Sequence, residues 1–199
     1  MSSNETEIKG SPIADPGPLG LTGFALTTFC LSAINAGLVP KEAMGVVIGL
    51  AIIYGGIAQL LAGMWEIKKN NVFGATAFSS YGAFWISFAI FELGSILKWF
   101  VIPEQGILAF LIAWTIFTFY MWIGTFALNK ALVTVFTALL ITFILLDIGA
   151  TELPFAHAAH IYGGYVGLFT AFAAWYASAA GILNTVYGRI VLPVGPLKK

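Results

Sequence analysis

The chain is 199 residues long; 59% of them are hydrophobic, only 9% are charged, and the formal net charge is zero. Ordinary soluble domains carry about 25% charged residues, so the composition excludes that class, and the balanced charge argues against nucleic acid as a partner. One thiol, Cys30, cannot close an internal disulfide and reads as a small apolar core residue.

The N-terminal segment is acidic and polar, with Glu5, Glu7 and Asp15 and no basic stretch before a short apolar run. That is not the pattern of a cleaved secretory signal, so the first apolar run is expected to be kept as a membrane span. It opens at Asp15-Pro16-Gly17-Pro18-Leu19-Gly20-Leu21. Proline is tolerated in a helix's first turn, where its missing N–H has no intrahelical partner to lose. The segment therefore marks a helix start, and the partial positive charge of such an end favours anions.

Six apolar runs follow, each about the 20 residues a bilayer-crossing helix needs. The first, 19–39, ends at Pro40-Lys41-Glu42, and the second, 43–65, ends at Glu66-Ile67-Lys68-Lys69. The third, 75–97, is followed by Lys98 and Pro103-Glu104. The fourth and fifth, 107–128 and 131–150, are separated by Asn129-Lys130, which makes them antiparallel neighbours. The sixth is 161–186. The runs are too long, and alternate too little, for a closed barrel.

The predicted fold is an all-α integral membrane bundle of six transmembrane helices. Its parts are a polar N-terminal segment (1–18), the helical domain (19–187) and a C-terminal tail (188–199). With the N-terminus inside, the inner segments hold Lys9, Lys68, Lys69, Lys130, Arg189, Lys198 and Lys199, against Lys41 and Lys98 outside. That bias places both termini in the cytoplasm. The loops are too short to form a soluble domain, so functional groups must lie in or beside the bundle.

In the second run Gly45, Gly49, Ile52, Gly56, Gln59 and Gly63 share one helical stripe, a close-packing pattern in membranes. Gln59 needs a partner there, either another helix or a water-filled path. The pentads Gly20-Leu21-Thr22-Gly23-Phe24 and Gly74-Ala75-Thr76-Ala77-Phe78 echo each other, too briefly to establish an internal repeat. His157 and His160 share the spacing of metal ligands, but no third strong ligand stands near, so loop or capping histidines are the simpler reading and no metal is expected. No catalytic motif or cofactor loop appears, so an enzyme is not expected. Glu92 and Asp147 are the carboxylates inside predicted spans. They are candidates for proton coupling, or else lie solvated at headgroup level. Small polar groups on helical faces (Thr27, Thr28 and Asn35 in the first run, Thr142 in the fifth) alternate with aromatic and aliphatic side chains. Such faces suit a narrow path for a small solute that is neutral or weakly held.

These motifs resemble the acetate uptake transporter family, the succinate–acetate permease (SatP/YaaH) type, whose first helix opens with N-P-A-P-L-G-L. The likeness continues in Tyr54-Gly55-Gly56-Ile57-Ala58-Gln59, in Ala62-Gly63 with Glu66, and in Phe73-Gly74 with Thr76-Ala77-Phe78. Ser80-Tyr81-Gly82, Phe84-Trp85, Gly188-Arg189, Val191-Leu192-Pro193 and Gly195 complete it. The resemblance implies a homohexamer in the inner cell membrane, with a path in each protomer that carries acetate and in some members succinate, by proton symport or as a channel. It places the family's constriction at Phe24, Tyr81 and Leu139. Two positions depart from the signature: its Asn is Asp15 and its Ala is Gly17. An ionised Asp15 would repel an anion at the entrance, whereas a capping Asp15 would serve the helix start as well as Asn does.

The expected function is passage of acetate and similar short carboxylates, with Thr27, Thr28, Asn35 and Gln59 as candidate substrate-binding groups and no cofactor. A channel for small neutral solutes such as urea is the first rival. A non-transporting membrane scaffold or sensor is the second.

Overall fold

The computed structural model describes residues 13–197, and among these it forms six long helices. We number them α1 (Gly17–Asn35), α2 (Lys41–Lys68), α3 (Val72–Ile96), α4 (Glu104–Thr125), α5 (Lys130–Gly149) and α6 (Ala156–Tyr187). Each covers one of the six apolar runs. Five are long and apolar enough to cross a membrane; α3 has the length, at 25 residues, but is more polar. Its Tyr81, Phe84 and Trp85 are buried inside the bundle, so this helix is matched to protein neighbours more than to lipid. Lys9, Lys198, Lys199, Glu5 and Glu7 lie outside the described residues.

Helix ends follow the local chemistry. Asn71 and Asn129 cap α3 and α5, each accepting a backbone N–H three residues on. Pro16 precedes α1 and Pro18 sits in its first turn, as the sequence requires. α6 stops at Gly188, whose φ of +62° is the left-handed conformation that glycine reaches without strain. Beyond it the tail folds back: Lys130 N donates to Gly195 O at 2.8 Å, and Leu197 N donates to Leu128 O at 2.9 Å.

α6 is the spine of the bundle, packed along both α1 and α5, while α2 packs on α3 and α4 on α5. α4 turns Ile112, Ile116, Phe119, Tyr120 and Ile123 outward. A large apolar face of this kind suits lipid or another protomer, and water would not cover it.

The glycine stripe in α2 is corrected by the structure. Residues Ile53–Ala58 form a π-helical turn. The extra residue rotates the later half of α2, so the stripe does not stay on one face. Gly56 and Gly63 are buried, whereas Gly45 and Gly49 are exposed with nothing near them in the protomer. Gly55, in the π turn, lies close against Thr27 of α1 and Trp85 of α3. π turns concentrate at functional sites, and this one delivers Gln59 to the bundle interior.

Candidate functional site

Two cavities enter the bundle from opposite ends. The near cavity, of about 660 Å³, opens beside the start of α1, the α4–α5 turn and the C-terminal tail. The far cavity, of about 880 Å³, opens beside the end of α1 and the starts of α2, α4 and α6. Three residues line both: Phe24, Tyr81 and Leu139. All three side chains are buried, and the rings of Phe24 and Tyr81 stand 5.8 Å apart, tilted. The two cavities thus approach each other across a neck of two aromatic rings and one leucine.

Tyr81 is held from several sides. Its hydroxyl and that of Thr118 on α4 are 2.8 Å apart, either one able to donate. Its ring packs edge-on to Phe117 at 5.2 Å and lies near Trp114 and Phe136. Thr118 is fully buried, so Thr118→Val leaves the tyrosine hydroxyl without a partner in the apolar core. That change is expected to cost about 1–3 kcal/mol, read as a lower thermal midpoint in detergent; an unchanged midpoint would show that the bond adds nothing.

The predicted donors divide. Thr28 and Asn35 line the far cavity, and Gln59 lines the near one. Thr27 lines neither. Its hydroxyl donates to the Gly23 carbonyl at 2.9 Å and its side chain packs on Gly55, which makes it a helix-packing residue. Thr28 Oγ1 and Gln59 Oε1 are buried with no hydrogen-bond partner among the described residues. So is Trp85 Nε1, a far-cavity residue that the sequence marks only as part of the family's motif. Buried polar atoms are ordinarily satisfied, so three unpartnered groups flanking one neck leave room for a polar solute or water.

The two candidate carboxylates also divide. Glu92 lines the far cavity with Lys41, Glu104, His157 and His160. Asp147 lines neither cavity; its Oδ2 accepts from Thr115 Oγ1 at 2.7 Å, across the α4–α5 contact. The sequence singles out Asp147 as a carboxylate inside a span, but the structure turns it toward α4 and away from both cavities.

At the near mouth, Asp15 Oδ1 accepts from Gly17 N at 3.1 Å and meets Lys69 Nζ at 2.7 Å. The acid that replaces the signature's Asn therefore ties down the helix start, and a cation offsets its charge. Pro18 lies on the same wall, and its carbonyl accepts from Thr22 and Ser178, joining α1 to α6. Glu66 also lines this cavity, although the sequence marks it as the end of a span and a motif residue and gives it no role in the path.

Two deep cavities meeting at an apolar neck, inside a bundle of membrane-crossing helices, define a membrane passage protein for small solutes. Comparison with known proteins makes this specific: the chain matches the GPR1/FUN34/yaaH family over residues 2–199 and belongs to it. It is 41% identical to acetate permease A of Emericella nidulans, across 94% of this chain and 67% of that one. It is 40% identical to the succinate-acetate/proton symporter SatP of Escherichia coli, across 92% of this chain and 96% of that one. Its fold matches a solved structure of the bacterial acetate channel SatP with a TM-score of 0.86 and 38% identity, across 92% of this chain and 99% of the other.

Proposed function

We propose that the chain carries acetate and similar short-chain carboxylates across a cell membrane, along a path through each protomer narrowed by Phe24, Tyr81 and Leu139. The observation that carries this reading is the pair of cavities that have those three residues in common. The walls are mostly aromatic and aliphatic, which suits a methyl group. Gln59, Thr28, Asn35 and Trp85 offer hydrogen bonds to a carboxylate on either side of the neck. No lysine or arginine lines the near cavity among the described residues, so binding there is weak and release fast, as conduction requires. The names of the relatives, which speak of acetate and succinate, support the same substrate class.

The Lys and Arg distribution supports cytoplasmic termini, which makes the near cavity the cytoplasmic one. The family resemblance supports a homohexamer in the cytoplasmic membrane, and the outward apolar face of α4 gives such an assembly, or lipid, a surface to cover. Uptake of labelled acetate, propionate, succinate and urea into proteoliposomes, with and without a proton gradient, tests the reading. Saturable acetate uptake that propionate competes for and urea does not is the expected result. Urea flux equal to acetate flux would favour a neutral-solute channel, and no flux of any solute would favour a scaffold.

A further inference from the structure

Glu66 is the one formally charged side chain that is buried among the described residues, at 2% exposure. It stands two helical turns beyond Gln59 on α2, on the same face, and both line the near cavity. Its Oε2 accepts from Asn71 Nδ2 at 2.8 Å, and Asn71 Oδ1 in turn accepts from Gly74 N at the start of α3. Its Oε1 makes no hydrogen bond to a described residue and faces the start of α1, 3.6 Å from where a Cβ on Gly17 would lie. The carboxylate is thus clamped between the first turns of α1 and α3, in the wall of the cavity. The charged groups facing it are Asp15, ahead of α1, and Lys69, in the α2–α3 turn. Lys69 is already engaged by Asp15 at 2.7 Å, and the first turn of α3 carries no titratable group. The other titratable residues lining this cavity are Asp15 and Tyr81.

Resting on the carboxylate-transport reading, we infer that Glu66 is the residue that binds a proton when a carboxylate substrate enters the near cavity. Lys69 offsets the charge of Asp15, but two carboxylates without such a cation do not both stay ionised in one poorly solvated cavity. When acetate occupies the near cavity, Glu66 takes one proton from water at the open mouth. The cavity then holds one uncompensated negative charge, as it did before. When acetate leaves, Glu66 returns the proton to the water at the mouth. One proton is bound per acetate bound, and the two are linked without a proton ever riding on the substrate. Glu92 sits beyond the neck in the far cavity and Asp147 lies off the path, so neither shares this space with a substrate in the near cavity.

The test is acetate binding to the purified full-length protein in detergent, followed by intrinsic tryptophan fluorescence with sodium acetate as the probe. With one linked proton, the wild-type Kd weakens about tenfold per pH unit over at least one unit between about pH 5 and pH 8. Glu66→Gln keeps an oxygen for Asn71 and is expected to bind acetate with less than about a twofold change over that range. Glu66→Asp retains a carboxylate and keeps the slope. Asn71→Ala breaks the structural bond but leaves the acid, and also keeps the slope. A wild-type slope that survives in Glu66→Gln overturns the inference, because the proton then travels on acetic acid or another group. So does a slope lost equally in Asn71→Ala, which would make Glu66 structural. A wild-type Kd independent of pH sinks the Glu66 role and leaves acetate transport standing, whereas absence of acetate binding by the wild type sinks the transport reading itself.

Discussion

Leu139→Ala is expected to widen the neck and raise the uptake of larger carboxylates, such as succinate, about tenfold relative to acetate. The neck is made of Phe24, Tyr81 and Leu139, and the leucine is the member with the fewest ties. Phe24 and Tyr81 hold each other at 5.8 Å, and Tyr81 is fixed further by Thr118 and the rings of α4. Leu139 has no polar partner, so its truncation removes volume without releasing a hydrogen bond. A tenfold change corresponds to about 1.4 kcal/mol of barrier, and the truncation takes a methine and two methyl groups out of the neck. The same change costs stability, about 2–5 kcal/mol for a buried leucine. Replacing all three neck residues would approach the whole stability of a typical domain, about 5–15 kcal/mol. The single substitution is therefore the sharper experiment. Uptake of labelled succinate and acetate in parallel proteoliposomes measures the ratio; a ratio equal to that of the wild type would remove Leu139 from the neck.

Much of the bundle is legible in the sequence because membrane helices announce their limits. Pro16 and Pro18, the Asn71 and Asn129 caps, and the charged pairs between runs each mark an end by local chemistry, and the helices begin and stop within a few residues of them. What periodicity misses is whatever depends on departures from 3.6 residues per turn or on how helices cross. The π turn at Ile53–Ala58 breaks the glycine stripe that even spacing predicts. Asp147 on α5 meets Thr115 on α4, 32 residues away, a contact that no local pattern contains. Glu66 is hidden for a different reason. A charge at the end of an apolar run reads as a loop, but α2 continues to Lys68 and carries the carboxylate back inside. The signal that could have found it is Asn71 five residues on, a side-chain amide able to satisfy an acid that the helix buries. Motif resemblance singles out Phe24 and Tyr81, and both line the two cavities; composition gave no reason to choose them from among the chain's many aromatics.

Gly82→Val is expected to lower the thermal midpoint sharply and to stop transport, whereas Gly45→Ala leaves protomer stability within about 1 kcal/mol of the wild type. Gly45 belongs to the stripe that the sequence marks for close packing and Gly82 does not, yet only Gly82 is in contact. A Cβ on Gly82 would stand 2.8 Å from the backbone N of Leu60 and 2.9 Å from the carbonyl of Gly56. Those are main-chain atoms of α2, so no side chain can swing aside to make room. A valine there forces α3 away from α2 or bends one of them, an overpacking strain of about 1–3 kcal/mol. The displacement falls one residue from Tyr81, on the helix that sets the position of that ring in the neck, and on the half of α2 that carries Gln59 and Glu66. A shift of about 1 Å at a site that depends on fixed geometry costs about a hundredfold in rate. Function should therefore fail in Gly82→Ala as well, even where the smaller side chain still allows folding. Gly45 has nothing within 4 Å, and alanine there gains helix propensity. Thermal unfolding in detergent and labelled-acetate uptake, measured on all three variants, separate the effects. A Gly82→Ala protein that folds and transports at the wild-type rate would mean that the α2–α3 spacing does not set the neck.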